Sequence, residues 1–166
     1  SETPEPAPEP KTEEPKAEEP KAEAPKPEAP KAEEPKAEEP KAAARTGEQV
    51  YTQVCIACHQ ANGQGLPGAF PPLVGSDWVT GDPERPIKVV LHGLQGEIEI
   101  GGTTYNSIMT PQGSILSDEE IANVLTYVRS TWGNAADAVT TEQVTKVREA
   151  TADRTSPWQV SELSGE

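Results

Sequence analysis

A proline stands at every fifth position of residues 11–40, and this spacing limits where the chain can fold. The stretch consists of six pentads that begin with Lys and end with Pro, three of them Lys-Ala-Glu-Glu-Pro. Lys, Ala and Glu favour a helix, but each Pro removes a backbone donor and clashes with the preceding turn. No uninterrupted segment reaches the roughly twelve residues that an isolated helix needs. We therefore predict that residues 1–45 are a disordered, extended linker and that the folded unit begins at Thr46.

The composition limits both the size of the folded unit and its partners. Of the 18 prolines, 11 precede residue 41, and only 33% of all residues are hydrophobic, so we expect a compact unit of about 90 residues with a modest core. The formal net charge is -14, and residues 46–134 alone carry -6, which excludes nucleic acid and anionic membrane surfaces as partners. No apolar run approaches the roughly 18 residues that span a membrane. An apolar signal sequence is also absent, so we expect either a cytosolic chain or a processed or truncated exported one.

Helix start signals and apolar residues at helical spacing predict an all-α fold with long loops. Capping-box spacing marks helix starts at Thr46 and at Ser117, and each start is followed by an apolar stripe. Apolar residues at helical spacing predict a further helix over residues 86–94. Between these helices Gly and Pro are frequent, and no strong strand pattern appears.

Both cysteines of the chain lie in the run Cys55-Ile56-Ala57-Cys58-His59, which has the attachment pattern of c-type haem. On a helical turn this separation lets two sulfurs reach the two vinyl-derived positions on one porphyrin edge. The adjacent His59 then directs its imidazole at the iron. We therefore predict one covalent haem c, which also supplies the buried apolar surface that a small unit with a single Phe lacks.

Three other uses of these cysteines remain as alternatives. A thioredoxin-type redox pair needs a preceding strand and a βαβ pattern, and neither is present. A zinc site would take Cys55, Cys58, His59 and His92, although tetrahedral Cys₂His₂ sites usually separate the Cys pair from the His pair. A structural disulfide is poorly placed across two intervening residues of a helix.

Met109 is the only methionine of the chain and lies in a loop, fifty residues after His59. A soft thioether on a loop stiffened by Pro111 suits low-spin iron that changes its charge with little rearrangement, so we predict Met109 as the second axial ligand. The alternative role of a lone Met is core filler. His92, the other ligand candidate, lies in a helical run, and we interpret it as a partly buried His with a local hydrogen bond.

Residues 46–134 resemble a class I, monohaem cytochrome c domain. The motifs that carry the resemblance are Cys55-x-x-Cys58-His59, Gly63-x-Gly65-x-Pro67-Gly68, Phe70-Pro71-Pro72-Leu73-x-Gly75 and Tyr105-Asn106-x-x-Met109. The resemblance implies a cytochrome c fold in which the first and last helices cross near Tyr127 around one covalent haem. It also implies that the Pro71 carbonyl accepts a hydrogen bond from the Nδ1–H of His59 and orients the imidazole. Many relatives have Met-Pro where this chain has Met109-Thr110-Pro111.

The resemblance does not cover residues 135–166, which we predict to be a C-terminal extension. Thr140 or Thr141 is placed to cap a short amphipathic helix that carries Val144 and Val147. We expect this helix to pack on the domain, and its sequence predicts no function.

An iron with both His59 and Met109 bound is coordinatively saturated, so the predicted function is one-electron transfer, without catalysis, between respiratory or periplasmic redox proteins. The alternative is a haem sensor or a peroxidase-like haem enzyme with a labile sixth ligand. A peroxidase would need a distal His and Arg, for which the candidates are His92 and Arg85. The resemblance implies relatives that serve copper nitrite reductases, quinoprotein dehydrogenases and terminal oxidases, and hence a periplasmic location.

The charge and the linker predict how such a carrier meets its partners. An acidic domain favours redox partners with a basic docking surface. An apolar rim at the porphyrin edge would consist of Ile56, Ala57, Leu66, Pro67 and Ala69. We expect the linker to be a spacer to an N-terminal membrane anchor that this chain does not contain, so that the domain is held near its partner.

Overall fold

The computed structural model describes residues 43–165, so the predicted linker lies outside the described residues except for its last three. In chain order the described helices are α1 (Gly47–Val50), α2 (Ile56–His59), α3 (Asp77–Thr80), α4 (Glu84–His92), α5 (Asp118–Ser130), α6 (Thr141–Ala150) and α7 (Val160–Leu163). The described strands are β1 (Leu94–Gln95), β2 (Ile98–Ile100), β3 (Thr103–Tyr105) and β4 (Trp158–Gln159). Within residues 43–165, no helix has the length and apolar character needed to span a bilayer.

The first helical segment begins at the predicted capping box and contains one widened turn. The Thr46 hydroxyl accepts from the Gln49 N–H at 3.3 Å, and the Gln49 side chain accepts from the Thr46 N–H at 2.9 Å, which confirms the box. Between α1 and α2, residues 51–55 form a π-helical turn in which the Ile56 N–H donates to the Tyr51 carbonyl. Such a turn holds one more residue than an α-helical turn and therefore re-aims the residues that follow it.

α1 crosses α5 at a glycine. Gly47 lies against the Asn123 carbonyl and the Tyr127 side chain, and a methyl group at position 47 would overlap both. One turn later, the Tyr51 ring lies 5.7 Å from the Tyr127 ring and 5.0 Å from the Trp132 ring, between centroids. The lack of a side chain at Gly47 therefore permits the close approach, and the aromatic contacts hold it.

One hydrophobic core joins α4, α5 and α6 within the described residues. Its buried members from these helices are Ile87, Leu91, Ile121, Ala122, Val124, Leu125, Val128, Val144 and Val147. α5 begins at the predicted capping box, in which the Ser117 hydroxyl accepts from the Glu120 N–H at 3.2 Å. α6 begins at a further capping box on Thr140 and packs its valines into the same core. Residues beyond 134 thus add to the core that the earlier helices form.

The predicted helical fold is confirmed, but four short strands that the sequence does not predict also occur among residues 43–165. β2 pairs antiparallel with β3, and both residues of the connecting turn, Gly101 and Gly102, have positive φ angles of 60° and 76°. β1 pairs in parallel with β4 from the C-terminal part of the chain. From the sequence alone, glycines in this region indicate only loops between helices, so these strands are not predicted. Glycine also permits turns tight enough for the flanking residues to pair.

Candidate haem site

The two cysteines lie at the end of the first helical segment. Cys55 closes the π-helical turn and is half-buried, whereas Cys58 lies in α2 and is exposed. Both thiols are free, so the structural disulfide is not formed. Before any haem is attached, burial, and to a lesser degree the neighbouring Cys58, raise the pKa of the Cys55 thiol to about 11. A three-residue separation on a helix places both sulfurs on one side, facing the same space.

His59 ends α2 with its ring held by one backbone carbonyl. Its Nδ1 lies 3.0 Å from the Pro71 carbonyl oxygen. A carbonyl only accepts, so Nδ1 carries the proton and Nε2 keeps its lone pair for a metal. Burial lowers the pKa of His59 and outweighs the opposing effect of the Pro71 carbonyl, so the imidazole is neutral at neutral pH. The contact that the resemblance implies between these two residues is therefore present in the fold.

A glycine turn brings the Pro71 carbonyl to His59. The Gly65 N–H donates to the His59 carbonyl at 3.0 Å, which folds the chain back over the end of α2. Gly65 has a φ of 62°, and a methyl group there would overlap the carbonyls of Phe70 and Pro71. Only glycine satisfies both the positive φ and the close backbone approach at this position.

Met109 is half-buried in the loop between β3 and α5, and it is fixed there by its own backbone. The Met109 N–H donates to the Leu94 carbonyl at 2.9 Å, and the Leu94 N–H donates to the Met109 carbonyl at 3.1 Å. This reciprocal pair fixes the backbone position from which the thioether projects. Two backbone hydrogen bonds thus hold Met109, although the residues on either side of it form a loop.

The end of α4 supplies the rest of the support for this loop. The Gln112 N–H donates to the Val90 carbonyl at 2.8 Å, and the Gly113 N–H donates to the Leu91 carbonyl at 3.2 Å. Gly93 ends the helix with a φ of 82°, and a methyl group there would overlap the Met109 carbonyl. The segment that follows Met109 is therefore docked on the last turn of α4.

His92 and Arg85 have contacts elsewhere in the fold. The His92 Nε2 lies 2.7 Å from the Thr151 hydroxyl, and its ring meets the Trp158 ring edge-on at 6.4 Å. Burial, then Arg154, lower the pKa of His92. The predicted hydrogen bond on a partly buried His92 is confirmed, although its partner is remote in sequence rather than local. Arg85 is buried with its guanidinium 5.0 Å from the centre of the Trp78 ring.

The donor set of the described residues fits haem c. It comprises two free thiols one helical turn apart, one neutral imidazole with a free Nε2, and one thioether on an anchored loop. In residues 43–165, no group of three or more His, Cys, Asp or Glu side chains is placed to hold a metal ion, so the four residues of the zinc alternative do not form such a site.

Comparison with known sequences decides the family. The sequence model of the family described as Cytochrome c matches residues 44–132, which is more than half of the chain. This chain belongs to the cytochrome c family. Like other members it carries covalent haem c and transfers electrons rather than transforming a substrate. Membership removes the zinc, thioredoxin-type and disulfide alternatives for the two cysteines.

The relatives of this cytochrome include single carriers and subunits of larger enzymes. It is 43% identical over 127 residues to a cytochrome c-552 of Thermus thermophilus, covering 71% of this chain and 82% of that protein. A second cytochrome c-552 of Thermus thermophilus is 44% identical over 123 residues, covering 69% of this chain and 90% of that protein. The cytochrome c subunit of the alcohol dehydrogenase (quinone) of Gluconacetobacter polyoxogenes is 34% identical over 126 residues, covering 74% of this chain but 26% of that subunit.

Residues that support the site without touching iron were not predicted from the sequence. Leu94 bonds the Met109 backbone, Gly93 permits its close approach, and the carbonyls of Val90 and Leu91 hold the residues that follow it; none of the four belongs to a motif. One signal for them was present, since a glycine directly after a helical stripe predicts a helix end with a positive φ. What lies against that helix end depends on tertiary contacts that the sequence pattern does not contain.

The attachment residues are tested by removing both sulfurs. We expect the wild-type cytochrome to keep its haem after denaturation in acid acetone, and Cys55→Ala combined with Cys58→Ala to release it, because only a covalent thioether resists extraction. Absorbance of the protein pellet at the Soret band measures the retained haem. A matched control is Ala57→Ser, an exposed position between the two cysteines that should retain full haem content. Retention of haem by the double variant would contradict attachment through these two sulfurs.

Proposed function

We propose that this cytochrome is a one-electron carrier whose iron is bound by His59 and Met109 and whose haem is attached through Cys55 and Cys58. The observation that carries the proposal is the backbone pairing of Met109 with Leu94 next to the end of α4. A ligand on a fixed backbone stays in place when the charge of the iron changes, which keeps the rearrangement during electron transfer small. A Met/His pair also raises the reduction potential, so the partners lie toward the high-potential end of an electron-transfer chain.

In this proposal, backbone contacts hold two neutral ligands, His59 and Met109, in place. The Pro71 carbonyl fixes the orientation and protonation of the His59 ring, and the hydrogen bond to it strengthens the donor at Nε2. The backbone of Leu94 fixes that of Met109. When bound, the haem supplies the reversible one-electron couple of its iron. With His59 and Met109 both bound, the iron would offer no open position for a substrate.

The alternative of a haem sensor or a peroxidase-like enzyme has less support. A peroxidase needs a His and an Arg together above an open iron position. The two candidates have separate surroundings, since His92 contacts Thr151 and Trp158 while Arg85 stacks on Trp78. The fixed backbone of Met109 also favours a permanent sixth ligand over a labile one.

The partner surface that we propose is a small apolar patch on an acidic domain. Leu66, Ile108 and Ile115 are large apolar residues with 51%, 64% and 61% of their surfaces exposed. Of the other residues of the proposed rim, Ala57 and Pro67 are also exposed, whereas Ile56 and Ala69 are half-buried. Contacts of carriers with their partners are small and release quickly. The net charge of -6 on residues 46–134 would then orient the domain toward a basic partner before contact.

We propose that the donor and acceptor are redox proteins outside the cytoplasm and that this cytochrome works in the periplasm. Support comes from its relatives, one of which is the cytochrome c subunit of a quinone-dependent alcohol dehydrogenase. The chain spans about a quarter of that subunit, so the activity of the whole enzyme is not carried over. We further propose that residues 1–45 act as a spacer, which raises the local concentration of the domain near its partner without new contacts.

Axial ligation by Met109 is tested with a single substitution. Oxidised wild-type protein should show the weak red absorption band of sulfur-to-iron(III) charge transfer, and Met109→Ala should abolish it. The reduction potential should fall by on the order of 0.1 V, since axial ligands tune haem potentials over about 0.8 V. Ile108→Ala, at the adjacent exposed position, should keep both the band and the potential. Persistence of the band in Met109→Ala would contradict the assignment, because the chain has no other methionine.

Electrostatic docking is tested through ionic strength. The rate of electron transfer to a basic redox protein should fall by roughly tenfold or more as the Debye length shrinks from about 30 Å at 0.01 M to about 8 Å at 0.15 M. An acidic redox protein of similar potential serves as the control, and its rate should rise as salt screens the repulsion. Stopped-flow absorbance at the haem bands measures both rates. A rate to the basic protein that does not change with salt would leave the apolar patch alone to set the encounter.

A further inference from the structure

One arginine of the C-terminal extension contacts two carbonyls of the segment that links Met109 to α5 and the first residue of α5. The Arg148 guanidinium donates to the Gly113 carbonyl at 2.7 Å and to the Leu116 carbonyl at 3.0 Å. Its Nε donates to the Asp118 carboxylate at 2.5 Å, at the first residue of α5. A single side chain of α6 therefore joins the end of the Met109 loop, defined as residues 106–116, to the start of the next helix.

These contacts use the geometry of guanidinium. Arg presents five N–H donors in a rigid planar fork, whereas the Lys ammonium is a compact charge on a flexible stem. The acceptors at Gly113, Leu116 and Asp118 are spread around that fork, and each takes a different nitrogen. Asp118 is itself oriented from α6, since the Thr145 hydroxyl donates to its second oxygen at 2.7 Å. The arrangement ties two backbone carbonyls of the loop to α6.

The C-terminal extension also contacts β1, the strand that contains Leu94, which is the backbone partner of Met109. β4 pairs in parallel with β1, so that Leu94 lies opposite Trp158 on one side and bonds Met109 on the other. The backbone N–H of Trp158 donates to the carbonyl of Gly93 at 3.0 Å, and Gly93 directly precedes Leu94. The Trp158 ring is covered by the Arg154 guanidinium, 3.5 Å from its centre. The extension thus supports the Met109 backbone through β1 and the following loop through Arg148.

We propose that Arg148 is a positioning residue that keeps the Met109 loop closed and thereby holds Met109 on the iron. This inference rests on the proposed function, in which Met109 is the sixth ligand. In the closed loop the thioether occupies the axial position, and in an open loop that position is available to other ligands. A ligand that binds only the open form has an apparent affinity proportional to the open fraction. The Arg148 contacts are broken when the loop leaves the start of α5, so their loss raises that fraction.

The experiment measures the open fraction of the oxidised full-length cytochrome with imidazole. Imidazole displaces the thioether, and the loss of the red charge-transfer band with the shift of the Soret band follows its binding. We expect Arg148→Gln to bind imidazole about tenfold more tightly than wild type, because hydrogen bonds to a charged group are among the stronger ones that a loop can lose. Arg148→Lys keeps the charge without the fork and should bind imidazole more tightly than wild type but less tightly than Arg148→Gln.

Two control variants separate this role from a general loss of stability. Lys146→Gln removes an exposed positive charge from the same helix, away from the loop contacts, and should leave the imidazole affinity within about twofold of wild type. Gly47→Ala strains the crossing of α1 and α5 without touching the Met109 loop. It should lower the urea midpoint of unfolding and leave the imidazole affinity unchanged. Equal gains in affinity for Gly47→Ala and Arg148→Gln would overturn the inference.

A double-mutant cycle shows whether Arg148 acts through Met109. In a Met109→Ala background no thioether competes with imidazole, so Arg148→Gln should no longer change the affinity. An equal effect of Arg148→Gln in both backgrounds would overturn the inference while leaving Met109 as the ligand. If instead wild type lacks the red band and binds imidazole as tightly as Met109→Ala, the ligand assignment itself is wrong and the inference falls with it.

Discussion

The last turn of an α-helix leaves backbone carbonyls without partners inside the helix. In α4 two of these carbonyls, from Val90 and Leu91, accept the N–H groups of Gln112 and Gly113. The helix thereby gains the hydrogen bonds that its own sequence cannot supply, and the loop gains a rigid support that its own sequence lacks. Met109 pairs with Leu94, two residues beyond the end of α4, and the residues after Met109 dock on the last turn, so the backbone position of Met109 depends on how α4 ends.

The other proposed ligand, His59, depends on a comparable backbone contact. The Pro71 carbonyl meets the Nδ1–H of His59, and Gly65 allows the two backbone segments to approach closely enough for that bond. Burial keeps His59 neutral against the opposing effect of this hydrogen bond, which holds the proton on Nδ1 and leaves the lone pair of Nε2 available to a metal. His59 and Met109, the two proposed neutral ligands, are thus each fixed by a backbone carbonyl at a glycine-dependent approach. Such a pair would bind iron without adding charge of its own, which suits a carrier between two oxidation states.

Local patterns predicted the elements whose causes are local. The capping boxes at Thr46 and Ser117 are present because a side chain and a backbone N–H three residues apart satisfy each other, whatever the rest of the fold does. The helix predicted over residues 86–94 is α4, displaced by two residues toward the N-terminus. The Cys55-to-His59 run and the isolated Met109 also stand out through residue type and spacing alone. The proposed ligands could therefore be named from the sequence.

Contacts between distant residues could not be predicted in this way. Leu94 pairs with Trp158, and both lie in short segments that have no strand pattern. The glycines near Leu94 indicate a loop rather than a strand. From the sequence alone, Arg148 is one charged residue among several on an amphipathic helix. Its acceptors at Gly113 and Leu116 are seen only in the structure. The π-helical turn before Ile56 also lacks a sequence signal, because it differs from an α-helical turn only in which carbonyl accepts from the Ile56 N–H. These features come from tertiary packing, which outweighs local preference where the two differ.

The central claim is that Met109 is bound to iron in the folded cytochrome. The most direct measurement is the proton NMR spectrum of the reduced protein labelled with carbon-13 in the methionine methyl group. Met109 is the single methionine of the chain, so the label gives one methyl resonance. If the thioether binds iron, that methyl lies over the porphyrin face, and its resonance is shifted far upfield of a methionine in water. A resonance at the ordinary position of a solvated methionine methyl would contradict the account.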